Sequence, residues 1–368
     1  MVRELVLHVG LMKSGTSHLQ ALLAAQRDTL ALRGVLFPGP TWADQAAGVR
    51  EFLAPGGPGP RWARLRGQIL AHPGAVLVSM EFLGPAPRPA IERLLAELGH
   101  PELRVVITAR DLARSLSSMW QESLQNGHSW TWEEYLDAAE AARPGERGSQ
   151  AGSAGAGTHF WRRQGLARVV RNWSAVAGTD GVTVVTVPPA GSPSGVLEER
   201  FAGACGVPIE TGLDLDRRNE SLGLASSLAL RQLNENLDAR GRAYPAGAYV
   251  RKRVVAKTVL AARRAAESPL RVDPMPWMHQ ESTRLRAAVE RAGVGVVGDL
   301  DDLVPRPVPG VGVGEVDGAD VAASALAALA ELVVLYADTN PRQGLAAGVH
   351  AAEAGGGDPV PFAEPPPG

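Results

Sequence analysis

The chain has one cysteine, three lysines and no uninterrupted apolar stretch as long as a bilayer is thick. A lone Cys205 excludes an internal disulfide framework and any multi-thiolate metal cage, and is expected as a small buried hydrophobe. The longest apolar run, over 323–337, is broken by Glu331 and falls short of the ~20 residues a span requires, so it is read as a packed helix. Residues 5–9 are apolar but too few for a signal-peptide core and lead straight to Lys13. No targeting segment is expected, and the protein is read as cytoplasmic. A net charge of −2 gives no general basic field for nucleic acid and no acidic block. There is no internal repeat. Lysine is so scarce beside 34 arginines that each one is unlike a casual surface choice.

What is present is an alternation. The 368 residues suffice for one large core or two modest ones. Short β-branched runs over 5–9, 75–79, 103–108 and 182–187 are apolar on both faces, as buried parallel strands are. Helical patterns lie between them over 16–32, 62–71, 90–98, 111–125 and 165–176. Thr131 and Glu134 form a capping box opening a helix over 132–142. This rhythm predicts a three-layer α/β domain with a central parallel sheet. After about residue 215 the chain turns mostly helical, with one more strand over 294–297. The Gly/Ser/Ala-rich stretch 143–158 is expected as a mobile loop, with a lid beside a binding site as its functional reading, and 340–368 as a disordered tail. The division expected is a catalytic domain over 1–305, a helical extension over 306–339, then the tail.

The strongest motif is Gly10-Leu11-Met12-Lys13-Ser14-Gly15-Thr16-Ser17, leaving the first strand and opening the first helix. Glycines permit a tight turn in which successive N–H groups and the helix start face one anion, with hydroxyls of Ser14, Thr16 and Ser17 adding donors. The nucleoside-triphosphatase loop, G-x-x-x-x-G-K-[ST], shares the spacing of Gly10 and Gly15. Its lysine would stand at position 16, where this chain has threonine. Lys13 instead lies inside the loop.

With His8 and Val9 ahead of it, this segment resembles the 5′-phosphosulfate loop, P-K-[ST]-G-T-[TS], of the P-loop sulfotransferases that use 3′-phosphoadenylyl sulfate, bacterial members included. Met12 replaces the usual proline. The resemblance implies a P-loop-type α/β domain in which Lys13 contacts the oxygen bridging phosphate and sulfate while Ser14, Gly15, Thr16 and Ser17 hold the 5′-phosphate. It also implies a 3′-phosphate anchor made of an arginine at a strand end and a serine eight residues on, a spacing matched by Arg110 and Ser118. Arginine suits that task because its charge is permanent and its fork fits phosphate oxygens. Arg114, Ser115 and Ser117 are neighbouring alternatives.

Transfer of a sulfuryl group needs a base for the acceptor proton. Glu81, just past the strand 75–79, is the first candidate, since open α/β sheets bind ligands at strand carboxyl ends. His18 is a second. His128 and His159 flank the mobile stretch, and His8 reads as a packed strand histidine. Trp120, Trp130, Trp132, Trp161 and Trp173 are expected in the core, one of them free to stack on a ring. Arg251-Lys252-Arg253 reads as a solvated helix face or, in its other reading, a supplementary phosphate contact. Asp299, Asp301 and Asp302 lack convergent ligand spacing, so no metal is expected. The expected reaction moves a sulfuryl group to a hydroxyl or amine of a carbohydrate, lipid or secondary-metabolite acceptor. A nucleotide or small-molecule kinase, which would need Mg²⁺ and a lysine at position 16, and a catalytically silent nucleotide-binding module are the alternatives.

Overall fold

The computed structural model describes residues 4–144, 155–213, 221–242, 245 and 247–339. Its centre is a six-stranded, all-parallel sheet in the order β2-β3-β1-β4-β5-β6. The strands are β1 (Glu4–His8), β2 (Val35–Leu36), β3 (Ala75–Ser79), β4 (Glu102–Ala109), β5 (Val182–Thr186) and β6 (Gly295–Val297). The apolar runs of the sequence are these strands, because a parallel sheet covered on both faces tolerates apolar side chains at every position. Only the two-residue edge strand β2, too short to carry a pattern, was not anticipated.

The first expected helix is two, α1 (Thr16–Ala25) and α2 (Arg27–Leu32), divided at Gln26, whose side chain bonds Glu210 instead of continuing the pattern. Next come α3 (Trp42–Leu53), α4 (Pro60–Ala71), α5 (Arg88–Glu97), α6 (Leu112–Gln125) and α7 (Trp132–Ala141). The capping box of α7 forms as read, with Thr131 and Glu134 each accepting from the other's backbone N–H. Then follow α8 (Ala156–Gln164), α9 (Leu166–Ala177), α10 (Val196–Cys205), α11 (Leu224–Ala239), a π-helix (Val250–Leu260), α12 (Pro276–Ala292) and α13 (Gly318–Thr339). Residues 156–158, expected within the loop, open α8. Residues 145–154 of that loop and the whole stretch 340–368 lie outside the described residues.

Two apolar clusters, one on each face of the sheet, make the three layers. Trp120, Trp132, Trp161 and Trp173 are buried as expected, and so is Cys205, whose thiol burial holds well above the ordinary range. Asp302 accepts from Thr186 and pairs with Arg200, and Asp301 pairs with Arg286. The segment past residue 305 is tied back by bridges from Val308 to Val272 and Val311 to Leu270.

α13 corrects the expectation of a packed helix. It packs against α11 and the π-helix, burying Val321, Ser324 and Ala328, while Leu326, Leu329, Val333, Val334 and Tyr336 stay exposed. A run of apolar letters fixes helix formation but not how much of the helix the body covers. By length and composition this one helix is apolar enough to cross a membrane.

The topology has one consequence for function. β1 connects toward β2 on one side and β4 toward β5 on the other, yet β1 and β4 are neighbours. Their carboxyl ends therefore flank a switch point, where open α/β sheets leave a crevice.

Candidate functional site

Three segments leave the carboxyl ends of the central strands together. The loop 10–15 follows β1, Glu81 follows β3 and Arg110 follows β4. His8 ties the three strands, with Nδ1 2.8 Å from Ser79 Oγ and Nε2 3.1 Å from Thr108 Oγ1. Burial pulls its pKa down to about 3, so it is a neutral structural histidine, as read. The loop is pinned to β4 by Leu11 N–H on Thr108 carbonyl, and Gln164 at the end of α8 donates to Met12 carbonyl at 2.6 Å.

Glycine is required at both ends of the loop. Gly10 has φ +109°, and a Cβ there would meet the Glu81 backbone and Cβ at 3.3–3.5 Å. Gly15 has φ +79° and faces Leu197 of α10. Lys13 adopts φ +59°, a left-handed turn that a side chain rarely takes.

Beside this loop opens a cleft of about 1220 Å³. Of the loop residues, Met12, Lys13, Thr16 and Ser17 line it; Ser14 and Gly15 do not. Ser14 is fully buried, its hydroxyl without a partner among the described residues. The first-turn N–H groups of α1 have no intrahelical acceptor, and no acidic residue occupies that turn.

All three lysines of the chain line the cleft and face one carboxylate. Lys13 Nζ lies 3.4 Å from one oxygen of Glu122, and Lys252 Nζ lies 2.7 Å from the other and 2.7 Å from Asn126 Oδ1. Burial alone would raise the Glu122 carboxyl, but Lys13, Lys252 and Lys257 outweigh it and pull the pKa down to about 2. The solvated-face reading of 251–253 holds only for Arg253, which is exposed at the cleft; Arg251 is buried, and half-buried Lys252 lines the cleft wall. Sequence reasoning missed Glu122, although a charged residue on the buried side of α6 was a signal.

A native pKa near 2 against 4.5 is a stability statement. A depressed carboxylate stabilises the fold above its unfolded pKa and loses that contribution as pH falls through the folded value. The shift corresponds to about 3 kcal/mol. Urea melts of the wild type are expected to lose stability between about pH 4.5 and 2, and Glu122→Gln should lose it already at pH 7, with a flatter acid limb. An unchanged acid limb in the variant would show that Glu122 carries no such charge.

Glu81 lies where topology put it, lining the cleft. Gln20, one helical turn after Thr16, donates to its Oε2 at 2.7 Å and also to Ser79 carbonyl. Burial raises the Glu81 pKa and Glu122 adds to the rise, against its own N–H, Gln20 and Lys13. Gln20 is a second residue the sequence reading missed.

The other residues expected at the site divide. Arg110 and Ser118 do meet, Nη2 to Oγ at 2.8 Å. They do not line the cleft; Arg110 borders a small cavity with Leu166, Leu285 and Leu303, and burial, then Arg114, lowers its pKa to about 10. Arg114 pairs with Asp111, while Ser115 and Ser117 bond backbone carbonyls. His18 is 2.8 Å from buried Glu198 and is also absent from the cleft wall. His128 and His159 do line it. His128 stacks on Trp130 at 4.0 Å, the one tryptophan of the five left partly exposed. Both ring nitrogens of His159 lack partners among the described residues, and burial, then Arg163, lowers its pKa to about 3.

The described part thus defines a parallel α/β protein with a cationic cleft at the carboxyl edge of its sheet. Comparisons with family models, curated proteins and solved structures found no match for the chain.

Proposed function

We propose that the protein is a cytoplasmic, P-loop-type sulfotransferase that moves a sulfuryl group from 3′-phosphoadenylyl sulfate to a hydroxyl or amine. The observation that carries this reading is Lys13, turned out of a glycine-bounded loop into a cleft shared with the first turn of α1 and with Glu81. The loop has threonine at position 16, where a triphosphatase or kinase lysine would stand.

In this reading Thr16, Ser17 and the N–H groups of α1 hold the 5′-phosphate. Lys13 meets the bridging oxygen. As the S–O bond breaks, negative charge collects there, and a fixed ammonium stabilises it more in the transition state than before. Glu81 accepts the acceptor's proton as the new bond to sulfur forms, and 3′-phosphoadenosine 5′-phosphate departs. Glu122 keeps Lys13 and Lys252 on the same wall. Since Arg110 and Ser118 stand off the cleft, Lys252 and Arg253 are the better-placed 3′-phosphate contacts.

Calorimetry without Mg²⁺ is expected to show the bisphosphate binding more tightly than adenosine 5′-monophosphate. Lys252→Ala should erase most of that preference, a loss of about 1.5–3 kcal/mol for a charge-assisted contact, and Arg110→Ala should keep it. The reverse pattern returns the anchor to Arg110. Tight ATP–Mg²⁺ binding with no response to the bisphosphate would replace the reading with a kinase, and bisphosphate binding without donor turnover would leave a silent nucleotide-binding module.

A further inference from the structure

The cleft has two unlike walls. One, from α3 and the turn after β3, is apolar: Trp42, Ala46, Leu53, Phe82 and Pro85. Glu81 adjoins it in sequence, so whatever Glu81 deprotonates rests against Phe82 and Trp42, whose rings lie 6.5 Å apart. The other wall is cationic and is built from the end of α8 and from the π-helix.

Among the described residues, Arg50, Arg162, Arg163 and Arg253 have no carboxylate within ion-pair distance. Arg50 instead lies 4.3 Å over the Phe82 ring, and Arg163 donates to the His159 carbonyl. Arg163 is half-buried beside Arg162, and burial followed by that like charge lowers its pKa. A half-buried cation with a cation as neighbour, and with Glu122 favouring its charge only from beyond ion-pair distance, is costly unless an anion completes it. Lysines 13 and 252 already share Glu122, so Arg162 and Arg163 mark a separate place for negative charge. The volume, about 1220 Å³, exceeds the ~300–1,000 Å³ usual for one small ligand.

We propose that the cleft binds, beside the donor, an anionic amphiphile whose apolar body lies on the Trp42–Phe82 wall and whose phosphate, sulfate or carboxylate is held by Arg162 and Arg163. Naming this ligand the acceptor rests on the sulfotransferase reading; its binding does not. A neutral sugar would leave the arginines unmatched, and a small anion would leave the apolar wall wet.

The test uses the full chain and monomeric probes: octyl phosphate, octyl glucoside and inorganic phosphate, each titrated with and without saturating 3′-phosphoadenosine 5′-phosphate. Octyl phosphate is expected to bind at least about 10-fold more tightly than either comparison probe, the scale of one charge-assisted contact. It should still bind when the bisphosphate is present. The double variant Arg162→Ala, Arg163→Ala, at the C-terminal end of α8, should lose about 10-fold for octyl phosphate and nothing for octyl glucoside; Phe82→Ala should weaken both octyl compounds. Equal affinity for all three probes would overturn the proposal. So would displacement of octyl phosphate by the bisphosphate, which would assign the apolar wall to the nucleoside. Absence of bisphosphate binding in the same titrations would sink the donor reading alone, leaving the octyl series to decide this one.

Discussion

Glu81→Gln is expected to lower sulfuryl transfer about 10²–10⁴-fold, the usual contribution of a general base, while bisphosphate affinity holds or rises slightly. The exchange keeps the shape and the reach to Gln20 but removes the group that takes the proton. Affinity should not fall because Glu81 is a negative charge beside the proposed anion site. Its pKa stands above the ordinary carboxylate range, chiefly through burial. A base must be ionised to work, so the wild-type rate should rise with pH through that raised pKa, and the glutamine variant should lack this limb. Initial rates with radiolabelled donor across pH 4 to 8 check both points. Near wild-type turnover in the variant would move the base to His159, which lines the cleft neutral and whose ring nitrogens have no hydrogen-bond partner among the described residues. His18, held by Glu198 away from the cleft wall, is no longer the next residue to test.

Lys13→Met should cost about 10²–10³-fold in turnover, the scale for removing one preorganised group that meets developing charge. Methionine keeps the aliphatic stem and deletes only the ammonium. A second readout is independent of activity. Lys13 is one of the charges that depress the Glu122 pKa, so without it the carboxyl must rise toward its ordinary value. The variant should then be less stable at neutral pH and should lose stability over a narrower range of acid than the wild type. Unchanged turnover with an altered acid limb would make Lys13 a structural partner of Glu122 and nothing more.

Much of this site was legible in the letters because its logic is local. The loop 10–17 announces itself by glycine spacing between a strand and a helix, and Glu81 by its place just after a strand. His8 was legible as a packed residue because it sits inside an apolar run. The rarity of lysine was also visible. It marks all three lysines, but nothing in a linear sequence says that residues more than 200 positions apart share a carboxylate. Arg110 and Ser118 show the opposite limit. Guanidinium and hydroxyl do come into contact, but their eight-residue spacing cannot say which cavity the pair faces.

By itself the sequence determined which stretches are buried strands, where the first helix begins, and that a glycine-bounded turn joins them, because each depends on periodicity or φ preferences within a few residues. Only the tertiary structure decided that Glu122 gathers the lysines, that Gln20 holds Glu81, that Arg50, Arg162, Arg163 and Arg253 line one cleft with no carboxylate within ion-pair distance among the described residues, and that α13 leaves its apolar side uncovered. Those facts arise from side-chain directions and from contacts closed over long loops, and they are fixed only when the helices settle onto the sheet.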